Sequence, residues 1–254
     1  MNESPSESGL EVVGSVPVLD GNGWVGATLS GLGQGAQVRR IDLSAGILQL
    51  GGRDFSESRV QVERQDDGAG LVRFEGEQLQ GELRWPKQWL GAALVGRFDR
   101  LHWPSSNDPD APVPEDDVDP AWLPALDFDI DDAQLGDARL GSVQLRTRQT
   151  PDGMLLEHFA ARSDDLSLDA SGDWSRRIEG SESRFKFVFA GQDLGRMMGR
   201  LGFSPLVEGG STDAVADVNW RGGPAQFEMA RLEGQLQIKV GKGRVPHVEP
   251  GAGR

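Results

Sequence analysis

The densest run of groups able to hold an ion is LDFDIDD, where Asp127, Asp129 and Asp131 alternate with Leu126, Phe128 and Ile130. In an extended chain alternate side chains leave on opposite faces, so the carboxylates share one face of a strand and the apolar residues share the other. With Asp132 these oxygens suggest calcium, but the spacing lacks the glycine and the bidentate glutamate of a calcium loop. A solvated strand face accounts for them better. His102, His158 and His247 are far apart and have no HExxH spacing, so zinc is not expected. GLGQG at 31–35 lacks the following lysine of a phosphate cradle, and there is no GxSxG elbow or dinucleotide fingerprint. With no cysteine in the chain, thiolate chemistry is absent too. A glycoside-hydrolase pair would need two carboxylates converging in a pocket, which alternation along one strand does not supply. The residues make no case for an enzyme and imply neither metal nor cofactor.

What remains is binding, and composition narrows the partner. Forty acidic residues against 26 basic ones give a net charge of −14, so nothing neutralises a phosphate backbone and nucleic acid is not expected. The opening MNESPSESGLEVVG has no basic start and no apolar core of export-signal length, and residues 1–9 are expected to be disordered. No run approaches the roughly 20 apolar residues of a membrane-spanning helix. Thirty-five glycines and 14 prolines point to many turns between short strands.

Period-two alternation recurs along the chain: VRRIDL, GILQL, SRVQVERQ, LVRF, LQGELRW and LVGRFDRLHW, then ALDFDI, GSVQLRTR, DLSLDASGDW, SRFKFVFA, AVADVNW and LEGQLQIKV. Turn sequences such as QDDGAG and TPDGM separate neighbours, predicting a meander of antiparallel strands. Trp85, Trp174 and Trp220 each close a strand, capping a core edge. One segment follows a helical period instead: Leu194, Met197, Met198 and Leu201, with Asp193 as N-cap and Gly202 as stop, predict a helix over 193–201. PSSNDPDAPVPEDDVDPAWLP is proline-rich, acidic and aperiodic. It divides the chain into an N-terminal meander (10–103), a loop (104–124) and a C-terminal meander (125–254).

The candidate site is therefore an apolar face. Phe185, Phe187 and Phe189 share one parity, as do Leu166 and Leu168, and Leu232, Leu236, Ile238 and Val240. With Leu126, Phe128 and Ile130 they could line one continuous surface across successive strands. The competing account is a closed β-sandwich in which a second sheet buries that face, serving as a binding or scaffold module. An outer-membrane barrel would share the alternation but needs aromatic girdles, and the chain has no tyrosine.

The run WLPALDFDIDDAQLGDARLGSVQLRTRQTPDGMLLEHFAARSDDLSLDASGDW, the helix DLGRMMGRLGF and the closing LEGQLQIKVGKGRVPHVEPGAGR resemble the C-terminal region of the YhdP subgroup of AsmA-like proteins. GSVPVLDGNGW, GRDFSESRVQVE and GELRWP extend the resemblance upstream, so it covers nearly the whole chain from about residue 10. The resemblance implies an all-β fold with one short helix: a long curved antiparallel sheet forming an open apolar groove, as in bridge-like lipid carriers. It implies a non-enzymatic part in phospholipid transport between inner and outer membrane, on the periplasmic side of the envelope. In that family a membrane anchor precedes and further strands follow the matching region. The chain is thus expected to be an internal fragment, cut where its sheet continues, reaching the two membranes through parts it lacks.

Overall fold

The structure, a computed structural model, describes residues 10–23, 38–87, 92–105, 119–178, 180–204, 208–226 and 231–244. GLGQG, Glu115–Asp117, His247, VEPGAGR and residues 1–9 lie outside the described residues. The alternating runs form β1 (Leu10–Asp20), β2 (Val38–Leu50), β3 (Arg53–Arg64), β4 (Gly70–Glu75), β5 (Leu79–Trp85) and β6 (Ala93–Trp103). After a 3-10 turn at Pro120–Trp122 come β7 (Ala125–Leu135), β8 (Ala138–Thr150), β9 (Gly153–Arg162), β10 (Ser167–Arg177) and β11 (Gly180–Gly191). The helix Leu194–Arg200 follows, then β12 (Glu208–Gly209), β13 (Thr212–Arg221), β14 (Glu233–Val240) and β15 (Gly243–Arg244). Thirteen of these strands make one sheet in the order β1 to β11, β13, β14, and the short β12 and β15 pair separately.

The sheet is open. Its outermost strands, β1 and β14, do not pair with each other, and the other sheet among the described residues is the two-stranded β12–β15 pair, too small to cover thirteen strands. That removes both the sandwich and the barrel. At about 4.8 Å per strand, thirteen strands extend on the order of 60 Å.

One expectation needs correcting. Most pairs are antiparallel, but β1 with β2 and β6 with β7 are parallel. A parallel neighbour requires the chain to return across the sheet, and such returns need a dozen or more residues. The two longest connections, 21–37 and the acidic stretch 104–124, are those returns. The acidic stretch therefore joins neighbouring strands, and β6–β7 pairing makes one sheet of both meanders.

Register turns alternation into a surface. Reading partner to partner across the sheet gives Val12, Ile41, Val62, Val72, Leu83, Gly96, Phe128, Leu145, Phe159, Ala170, Phe187, Ala216 and Leu236. The neighbouring row on that face is Gly14, Leu43, Val60, Phe74, Gly81, Phe98, Ile130, Val143, Ala161, Leu168, Phe189, Ala214 and Ile238. Neither row contains a polar side chain.

The intervening row, on the other face, runs Val13, Asp42, Gln61, Arg73, Glu82, Arg97, Asp129, Gln144. Opposite charges there sit on neighbouring strands, an arrangement that favours this register over a one-residue slip. Asp42 accepts from Arg59 Nε at 2.7 Å and Nη2 at 2.8 Å and from Gln61 Nε2 at 2.9 Å. The Arg59 bonds hold its carboxyl below the usual aspartate range. On β11 the Arg184 and Arg177 guanidiniums do the same for Glu182.

The helix starts as its cap predicts: Asp193 accepts from Arg196 N at 3.0 Å, and that backbone bond lowers the carboxyl's pKa. It stops at Gly202, whose φ of +85° suits glycine. Met197 is buried against Gly191 at one end of the strands.

Candidate functional site

Across β1–β7 the apolar face rolls into a trough. Phe55 on β3 and Trp103 on β6 meet edge to face, ring centroids 5.5 Å apart. On a flat sheet, strands three places apart stand roughly 14 Å from each other, so the sheet must curl to bring these rings together. The curl encloses a cavity of about 250 Å³, walled by Leu48, Val62, Phe74, Leu83, Phe98 and their neighbours, Trp85 and Trp103 among them. Every side chain on that wall is apolar. Two glycines make room for the rim tryptophans. A Cβ on Gly51 would lie 2.7 Å from the Trp103 ring, and the Trp85 ring occupies the space where one on Gly70 would be.

Trp85, Trp174 and Trp220 all lie toward one rim. Trp85 ends β5, whereas Trp174 stops three residues short of the end of β10 and Trp220 one short of the end of β13. Trp174 Nε1 donates to Ser181 Oγ at 2.8 Å and Trp220 Nε1 to the Gly223 carbonyl at 2.9 Å, so each presents its ring to the apolar face with its polar edge satisfied. Trp103 and the helix stand at the opposite rim, Trp103 ending β6 and the helix following β11.

The sequence-predicted residues fall on this face in different settings. Phe128 belongs to the trough wall. Leu126 pairs with Leu94, and Ile130 with Phe98 and Val143. Leu168 and Phe185 are buried, and Leu166, also buried, lies one residue before β10. Phe185, Phe187 and Phe189 stack along β11 at 6.1 Å spacings, and Phe185 stacks on Trp220 at 5.4 Å. On β14, Leu236, Ile238 and Val240 share the face but are 63%, 54% and 48% exposed. Leu232 precedes that strand and is half-buried.

Sequence reasoning missed nearly the whole trough wall. Ile41, Leu43, Val60, Val62, Val72 and Leu83 stand in the runs VRRIDL, SRVQV, LVRF and GELRW, and their alternation was the available signal. The apparent strength of SRFKFVFA, three phenylalanines on one parity, drew attention to the C-terminal half instead.

The aspartates of β7 face the other way. Arg97 lies 3.2 Å from both Asp127 and Asp129, and Arg146 lies 3.0 Å and 2.8 Å from them. Asp132 sits 2.8 Å from His102 Nε2. Arginines interleave these carboxylates, and among the described residues no group of three or more acidic or imidazole side chains is gathered to hold a metal.

A family model described as YhdP protein matches residues 2–254. Among curated proteins, the chain is 21% identical over 257 residues to "Intermembrane phospholipid transporter YhdP" of Escherichia coli (strain K12), covering 97% of this chain and 20% of that protein. It therefore spans about a fifth of that relative's length. No solved structure matches the chain.

Proposed function

Since the chain belongs to the YhdP protein family, we propose that its apolar face carries phospholipid acyl chains along the sheet, as one segment of a longer path between inner and outer membrane. The observation that supports this most is the pair of transverse rows in which thirteen successive strands contribute only apolar side chains or glycine. Leaving a hydrocarbon environment for water costs an acyl chain about 0.8 kcal/mol per CH₂, so it moves freely only where apolar contact is unbroken. The face meets that condition from β1 to β14. Leu126, Phe128, Ile130, Leu166, Leu168, Phe185, Phe187, Phe189, Leu232, Leu236, Ile238 and Val240 serve in this reading as groove lining, joined by the trough wall of β2–β6. The relative's printed name, an intermembrane phospholipid transporter, supports phospholipid as the cargo and a path between membranes. The chain then acts without catalysis, on the periplasmic side of the envelope, and meets both membranes through other parts of a longer protein.

Phe187 is the position to test. It lies between Ala170 and Ala216 in the first row and is only half-buried, so a carboxylate there breaks the row at modest cost to folding. Phe187→Asp is expected to abolish transfer of fluorescent phosphatidylethanolamine between vesicles while Lys186→Asp, on the opposite face, leaves it unchanged. Wild-type transfer by a folded Phe187→Asp protein would sink the proposal.

A further inference from the structure

Strand β3 lays Arg53, Phe55, Ser58, Val60, Val62 and Arg64 on the trough side, so a cation stands at each rim with the apolar wall between. The two arginines differ. Arg64 is exposed, whereas Arg53 is half-buried beside the trough. Arg53 pairs across the hairpin with the wall residue Leu50, next to Gly51, on which Trp103 packs.

Arg53 is also unlike the arginines of the outer face. Many of those are tied to carboxylates, as Arg59 is to Asp42 at 2.7 Å and Arg146 to Asp129 at 2.8 Å. Among the described residues Arg53 has no carboxylate partner. Its Nη1 donates to the neighbouring Gly52 carbonyl at 3.1 Å, and its Nε is shielded from solvent with no acceptor. With no carboxylate beside it, the guanidinium keeps its charge uncompensated, and its solvent-facing edge is free to donate to an anion at the rim. Arg40 Nε is also without a hydrogen bond, but it lies within 3.6 Å of Glu63 in the outer charged network.

We propose that Arg53 is an anion site at the trough rim that takes the phosphate of a phospholipid whose acyl chains lie against the adjoining wall. This rests on the acyl-groove proposal and adds to it where the headgroup rides. The guanidinium fork matches two phosphate oxygens, and its position keeps the charged group at the rim while the chains enter the trough. Trp103, edge-on to Phe55 beneath this rim, offers an amphipathic surface where headgroup meets hydrocarbon.

The test compares two fluorescent probes with identical acyl chains, phosphatidylglycerol and diacylglycerol, in equilibrium binding to the purified chain. Arg53→Gln is expected to weaken phosphatidylglycerol binding roughly tenfold, the loss of one charge-assisted contact, and to leave diacylglycerol binding unchanged. Arg53→Lys keeps the charge without the fork and falls between; Arg64→Gln changes neither probe. An unaltered ratio of the two affinities in folded Arg53→Gln overturns the headgroup site while the groove stands. Failure of wild type to bind either lipid overturns the groove itself. Inorganic phosphate is the third probe: if it binds Arg53 in the absence of lipid and diacylglycerol does not bind, the anion is a free phosphate and the headgroup assignment fails.

Discussion

Strands β1–β7 and β8–β14 follow the same alternation, yet they present their apolar faces differently. In the first region Ile41, Leu43, Leu48, Val60, Val72 and Phe74 are buried, although they face no second sheet. The last strand of the second region leaves Leu236, Ile238 and Val240 about half exposed or more. Val143, Ala161, Leu168 and Phe185 are buried on the strands between, so the contrast is sharpest between the trough and β14, and what marks the trough is curl. In the first region an aromatic contact bridges strands three places apart, Phe55 to Trp103. In the second, the rings stack along one strand or onto its immediate neighbour, Phe185 to Phe187 and to Trp220. Alternation makes an apolar face, and contacts across several strands fold that face into a trough.

That contrast can be broken by substitutions at matched places. The largest effect is expected from Val60→Asp, which puts an unpaired carboxylate in the buried part of the second transverse row. Its cost should exceed about 4 kcal/mol, a large part of the stability of a typical domain, and urea unfolding measures it. Trp103→Ala removes the ring that closes the curl and should cost about 3 kcal/mol, with the hydrophobic dye ANS binding more strongly as the trough opens. A smaller effect separates the outer faces. The Asp42 carboxyl has its pKa held down by Arg59, so its contribution is complete above the ordinary aspartate value, about 4. It disappears as pH falls through the lowered folded value. Asp42→Asn should therefore lower stability at neutral pH and flatten its loss below about pH 4, read by unfolding at stepped pH. Ile238→Asp, in the same row as Val60 but on β14, should change stability by less than about 0.5 kcal/mol. Similar costs for Val60→Asp and Ile238→Asp would erase the distinction between the two regions.

The sequence showed the period well and the third dimension poorly. The helix was readable because its cap, Asp193, and its stop, Gly202, are local chemistry. Runs such as SRVQV and LVRF announced strands for the same reason. β1 escaped because LEVVGSVPVLD interrupts its alternation with Gly14 and Pro17, and β9 because GMLLEHFAAR places Leu155 beside Leu156 and Ala160 beside Ala161. β2 reads as two short runs around Gly46, where Ala45 and Leu48 are both buried because the strand shifts parity between them. The parallel pairs were hidden in the two long connections, whose length permits a return without specifying one. For the site, the face was legible at β7, β10, β11 and β14. The trough was not, because Phe55 and Trp103 stand 48 positions apart and no local pattern announces that they touch.

Neighbouring residues on one strand give the most direct measurement of the central claim. A photoreactive amino acid placed in turn at Gln61 and Val62, and at Lys186 and Phe187, samples the two faces at near-identical positions along the sheet. After irradiation with phospholipid vesicles, the acyl-groove account predicts lipid adducts at 62 and 187 and none at 61 and 186. Equal adduct yields at adjacent positions, or no adduct at 62 and 187, would contradict it.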